Sequence, residues 1–257
     1  MVGSSTGTGG IRTDSTASGI KAELTISSGS LTVTGGITYN AGASGDPFVF
    51  SMSGGTIDVN TGSTGTSGET FNTTDVVGSS FTMSAGTITI QNKTSGSYSD
   101  FSVCGTNGSV SSTGGTVQFG NSSSSNTQTF NFTPFASITL PNFKVSSSAS
   151  SIALKPFTSG NIKLMSLYID AGESFDVSHN ANASDNRTLT LTSTYDGTYA
   201  YYNNNSTNTS DYVYRNSTVI FSGTGAFKPN TYQAYKPEFW NLTCAASGYT
   251  TTIYAGL

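Results

Sequence analysis

Apolar residues recur at every second position in short runs, as in Leu31-Thr32-Val33, Ile57-Asp58-Val59, Ile88-Thr89-Ile90 and Val117-Gln118-Phe119. A period of two sends alternate side chains to one face of a pleated strand, so each run predicts a short strand with two inward side chains. Each run follows a glycine and a hydroxyl residue: Gly29-Ser30, Gly55-Thr56, Gly86-Thr87 and Gly115-Thr116. A glycine there permits a turn that a Cβ would obstruct. These glycines advance by 26, 31 and 29 positions (55 − 29, 86 − 55, 115 − 86), a spacing that signals stacked repeats. A looser copy, Ala171 to Val177, lies 57 positions on (172 − 115), at two further periods. Asp58 and Asp176 take the same place in the phrase, which predicts one shared outward column.

Further alternating runs lie between these phrases, among them Phe48-Val49-Phe50, Phe143-Lys144-Val145, Ile162-Lys163-Leu164 and Leu167-Tyr168-Ile169. A period of this size fits one coil of three short strands, so the pattern predicts an all-β chain folded as a right-handed parallel β-helix. The alternative is two β-sandwich domains, divided within Asn121 to Asn126. A longer similarity relates the segment starting at Thr116-Val117-Gln118-Phe119 to that starting at Thr218-Val219-Ile220-Phe221, at an offset of 102 (219 − 117). The expected organisation is a flexible arm over 1–20, solenoid repeats over 21–125, and over 126–257 either more solenoid or a second all-β domain.

Composition narrows the function. Only 9% of the 257 residues are charged, against roughly 25% in an average globular domain, so Ser, Thr, Asn and Gly carry the solubility. That balance is usual at cell surfaces and predicts an extracellular protein. The net charge of −4 and the scattered basic residues argue against nucleic acid, and no apolar run reaches the roughly 20 residues of a membrane span. Met1-Val2-Gly3-Ser4 leads into polar residues, so secretion would require a signal already removed. Cys104 and Cys244 read as two buried thiols, with a disulfide as the alternative in an oxidising compartment.

Ser217-Thr218-Val219-Ile220-Phe221-Ser222-Gly223-Thr224-Gly225, followed by Phe239-Trp240-Asn241-Leu242-Thr243, resembles the STVTFNGTG…FYNLTI phrase of large prokaryotic cell-surface repeat proteins. Glu173 to Ser178 is similar to another of their strands. The resemblance implies an extracellular β-helix of the adhesin, surface-layer or filament kind. In that pattern strands continue past the last phrase, whereas this chain stops at Leu257. The expectation is therefore a fragment, or a solenoid whose uncapped end pairs with copies of itself, end to end or by strand donation.

The candidate sites are few. Asn-X-Ser/Thr glycosylation acceptors abound, notably Asn72, Asn92, Asn107, Asn204, Asn208, Asn216 and Asn241. Tyr199, Tyr201, Tyr202, Tyr212 and Tyr214, with Trp240, suggest an aromatic patch able to contact surface glycans or a neighbouring subunit. Asp58, Asp170, Glu173 and Asp176 are the acids a carbohydrate-active β-helix would use. Asp170 and Glu173 are close enough to share a turn and to offer oxygens to Ca2+; no other cofactor is expected. His179, the single histidine, reads as an exposed turn residue, and no nucleophile elbow, zinc-binding helix or phosphate loop accompanies it. The expectation is a structural protein and no enzyme.

Overall fold

The computed structural model describes residues 10–14, 21–40, 46–62, 68–73, 75–125, 127–147, 151–180, 182, 184–205, 212–213, 215–228, 239 and 241–245. The strands in order are β1 (Ile11–Asp14), β2 (Ala22–Ile26), β3 (Ser30–Val33), β4 (Ile37–Asn40), β5 (Phe48–Val59), β6 (Phe71–Asn72), β7 (Ser80–Ile90) and β8 (Phe101–Ser102). They continue with β9 (Ser109–Ser112), β10 (Thr116–Phe119), β11 (Gln128–Phe132), β12 (Asn142–Val145), β13 (Ile152–Pro156), β14 (Ile162–Leu164) and β15 (Leu167–Ile169). The last are β16 (Ser174–Asp176), β17 (Thr188–Leu191), β18 (Tyr199–Asn203), β19 (Tyr212–Val213), β20 (Thr218–Phe221), β21 (Ala226–Lys228) and β22 (Asn241–Cys244).

Every pairing among them is parallel, and the sheets stack as a β-solenoid of about seven turns. One face is the sheet β1-β4-β6-β8-β11-β13-β16-β19. A second runs through β3, the ends of β5 and β7, then β10-β12-β15-β18-β21. A third is carried first by β2, the beginnings of β5 and β7, and β9. From Leu140, which bridges Leu164, that third position falls to the sheet β14-β17-β20-β22, whose first three strands each directly precede a strand of the second face.

The glycine phrase marks the corner between the third and second faces. Gly29, Gly55, Gly86 and Gly115 all have φ between 76° and 87°. At Gly55 a Cβ would also lie 2.6 Å from the Gly29 carbonyl oxygen, which accepts the Thr56 N–H at 2.9 Å. Successive coils are thus locked in register at their tightest turn.

The looser copy at Gly172 is a different corner. It precedes β16 on the first face, so Asp176 shares no column with Asp58, which lies on the second. The long similarity also crosses faces: Thr116–Phe119 is on the second and Thr218–Phe221 on the third. In both segments, however, the similar strand pairs with the next one in the phrase, β10 with β12 and β20 with β22, so each copy is one full coil. No break occurs at Asn121: β10 pairs β7 on one side and β12 on the other, which excludes two sandwiches divided there. The expected N-terminal arm contains a rung, because β1 pairs residue for residue with β4.

The interior is filled by aligned side chains. On the second face Ile57, Ile88, Val117, Phe143, Leu167, Tyr201 and Phe227 form one column, all 2% exposed or less. Neighbouring rings link Phe50, Phe71, Phe101, Phe143, Phe132, Phe175, Tyr212 and Phe239 into a continuous aromatic spine, with centroids 5.1–6.1 Å apart. Each buried ring contributes about 1.5–3 kcal/mol, and edge-to-face pairs add to that. Both cysteines are free, Cys104 buried as expected and Cys244 exposed on β22, contrary to the expectation of two buried thiols.

Candidate functional site: an outward tyrosine and lysine column

Residues between two inward positions of a strand must point outward. On the second face this rule aligns Asp58, Thr89, Gln118, Lys144, Tyr168, Tyr202 and Lys228 in unbroken register. Tyr168 and Tyr202 stack with centroids 4.6 Å apart and planes 3° from parallel, about the spacing of two neighbouring strands. The Lys228 ammonium lies 4.1 Å from the centre of the Tyr202 ring and donates to its hydroxyl at 2.7 Å. At the other end the Lys144 ammonium lies 5.5 Å from the Tyr168 ring. Such contacts are worth about 0.5–1 kcal/mol each at exposed sites.

A tight turn adds two more rings. The Asp196 carboxylate accepts the N–H groups of Thr198 at 2.9 Å and Tyr199 at 3.0 Å, and Gly197 takes φ 80°. This sets Tyr195 against Tyr168 at 5.1 Å and Tyr199 edge-on to Tyr202 at 4.9 Å. Burial, reinforced by Asp170, pushes the Tyr168 phenol above its usual range, and burial beside Asp196 does the same for Tyr195. Both therefore remain neutral hydroxyls.

The expected aromatic patch is thus divided. Tyr199 and Tyr202 are on the outer wall, but Tyr201 and Tyr212 are core residues, 0% and 5% exposed, because they occupy inward positions opposite Leu167 and Phe175. Tyr214 and Trp240 lie outside the described residues. Sequence reasoning missed Tyr168, Lys144 and Lys228. The middle residues of Phe143-Lys144-Val145 and Leu167-Tyr168-Ile169 carried the signal, once those two runs are known to be adjacent rungs.

Beside this column, at the corner leading to the first face, polar side chains bond from coil to coil. The Asn60 Nδ2 donates to the Asn92 carbonyl at 2.6 Å, and the Asn92 Nδ2 returns a bond to the Asn60 carbonyl at 2.9 Å. Asn92 Oδ1 then accepts from Ser125 and Gln128 in the following coil. Gln91 bridges Thr61 and Ser123, and Asn121 donates to Gln91 Oε1. Farther along, Asp170 accepts from Ser146 at 2.9 Å and Asn204 at 3.1 Å, while Asn205 reaches the carbonyls of Asp170 and Glu173.

This corner decides which glycosylation acceptors are reachable. Asn92 is 3% exposed with both amide hydrogens engaged, so it is a lattice residue and no glycan acceptor. The Asn204 amide is tied to Asp170, and that of Asn72 to Glu69. Asn216 is half-buried, Asn107 is exposed although its amide donates to the Asp75 carbonyl at 3.2 Å, Asn241 is exposed, and Asn208 lies outside the described residues.

The carboxylates do not assemble. Asp58 has no second carboxylate in its column among the described residues, and Asp176 forms a two-point pair with Arg215 at 3.1 and 2.5 Å. Glu173 is 2% exposed and accepts the Ile152 N–H. Burial pushes it up to about 7, with Asp170 adding repulsion. His179 is half-buried, with Nδ1 4.0 Å from Asp185 Oδ2, so it is less exposed than its turn position suggested. Among the described residues no group of three or more His, Cys, Asp or Glu is placed to hold a metal ion.

Compared with protein families, curated proteins and solved structures, the chain matches none. Fold and site together define a class: a parallel β-solenoid whose outer wall carries one aromatic and cationic column.

Proposed function

We propose that the chain is an extracellular structural protein, a rigid subunit of a filament, sheath or surface layer, and that it catalyses no reaction. One observation carries this reading: successive coils are joined by buried amide and hydroxyl bonds at one corner and by a continuous aromatic spine inside. Such a lattice gives stiffness without ion pairs and suits a chain with 9% charged residues. A subunit of this kind assembles with copies of itself. Negative-stain electron microscopy with mass photometry over a dilution series tests it. Regular fibres or sheets are expected; monomers at every concentration would refute assembly.

A second reading, glycan contact as in an adhesin, is favoured by the outward column. Four half-buried tyrosines, Tyr168, Tyr195, Tyr199 and Tyr202, gather outside the packed wall and add nothing to the core.

A further inference from the structure

We propose that the column from Lys144 through Tyr168 and Tyr202 to Lys228 binds an acidic polysaccharide of the uronic acid class, extended along the solenoid axis with about one sugar per rung. This rests on the glycan-contact reading above and adds a ligand class and a direction to it.

The direction follows from register. Lys144, Tyr168, Tyr202 and Lys228 are successive partners on β12, β15, β18 and β21, so the column runs along the axis. One rung is about 4.8 Å, comparable in length to one pyranose in an extended chain. Lys144 and Lys228 stand three rungs apart, roughly 14 Å, which matches carboxylates on the first and fourth sugars.

The ligand class follows from which surfaces are free. A neutral sugar is held chiefly against open ring faces. Here Tyr168 and Tyr202 cover each other, and Lys228 covers the outer face of Tyr202. The Tyr202 hydroxyl is itself taken up by Lys228 and Asn204, so what remains are ring edges and the two ammonium groups, which favour an anionic chain. The acids nearest the rings are engaged within the protein: Asp170 by Ser146, Ala171 and Asn204 and by the nearby charge of Lys144, and Asp196 by Thr198 and Tyr199. The lysines are pre-positioned over the rings, so little side-chain freedom is lost on binding.

Calorimetric titration of the full chain at low ionic strength, with β-1,4-linked oligomannuronates of one to six sugars and with cellohexaose, tests this. Hexamannuronate should bind at least about tenfold more tightly than the monosaccharide or cellohexaose, and added salt should weaken it. The double variant Lys144→Gln/Lys228→Gln should lose about tenfold while its melting temperature falls by only about 2–8 °C, and Lys163→Gln on the third face should retain binding. Equal binding of cellohexaose would overturn the acidic class and leave glycan contact standing. Equal binding of the monosaccharide would overturn the axial arrangement. No binding of any sugar would overturn this proposal and the glycan reading together.

Discussion

Asp100 and Asn131, on successive coils, hold each other reciprocally: the Asn131 N–H donates to Asp100 Oδ2 at 2.7 Å, and the Asp100 N–H donates to the Asn131 carbonyl at 2.7 Å. The other carboxylate oxygen accepts the Thr94 N–H at 2.5 Å and the Thr70 hydroxyl at 3.4 Å. One side chain therefore ties three coils together, with no exposure to water.

That burial gives the solenoid an acid-favouring stability. Desolvation pushes Asp100 up to about 7 against the pull of its N–H donors, and Glu173 likewise to about 7. The native state then keeps protons that the unfolded chain releases near pH 4, so stability falls as pH rises from about 4 to about 7 and is level above. Asp75 and Asp170 act oppositely: burial raises them, but hydrogen bonds from Asn107, Thr106 and Gly108, and from Asn204, Ala171 and Ser146, hold them below the usual range. Their contribution is lost as pH falls below about 4. Thermal melts across this range should peak near pH 4–5 and drop by at least about 5 °C towards pH 8. Asp100→Asn should flatten much of that slope and cost about 1–3 kcal/mol, because an amide NH2 then faces a backbone N–H.

Adjacent tyrosines should respond differently to truncation. Tyr201→Ala empties an inward position between Leu167 and Phe227 and should cost about 3–5 kcal/mol in urea unfolding. Tyr202→Ala removes an outer ring and should cost only about 1–2 kcal/mol. Equal losses would contradict the assignment of faces.

The corner glycines should tolerate no side chain. Gly55→Ala combines φ 76° with a Cβ 2.6 Å from the Gly29 oxygen, and should destabilise by about 2–4 kcal/mol. Gly197→Ala also has a positive φ but meets nothing within 4 Å, so it isolates the backbone cost of about 1–2 kcal/mol. Denaturant midpoints of the two variants measure the difference.

Modification should follow exposure. Expressed in a host that glycosylates Asn-X-Ser/Thr, Asn107 should carry glycan, and Asn92 and Asn204 none, by mass spectrometry of tryptic peptides. Asn92→Ala should instead lower stability by about 2–4 kcal/mol, because Ser125 and Gln128 lose their shared acceptor.

Where the glycine phrase recurs over four consecutive coils, register could be read directly, because one turn geometry requires Gly at each step. The copy at Gly172 shows where that reading ends. A strand phrase of two inward residues looks alike on all three faces, so similarity cannot say which face it occupies. The site was less legible still. Tyr201 and Tyr202 are neighbours in sequence, and only their partners Leu167 and Tyr168 decide that one ring is core and the other wall.

By itself the sequence determined the all-β class, the coil length and the corner turns, because these depend on a period of two and on backbone freedom at glycine, both local properties. The tertiary structure alone decided which face each strand joins, that Asn92 and Asp100 are buried ties, and that Lys144, Tyr168, Tyr202 and Lys228 form one column. Those facts depend on pairing between residues 24 to 34 positions apart (168 − 144, 202 − 168), and loops of varying length set that register without leaving a periodic trace in the chain.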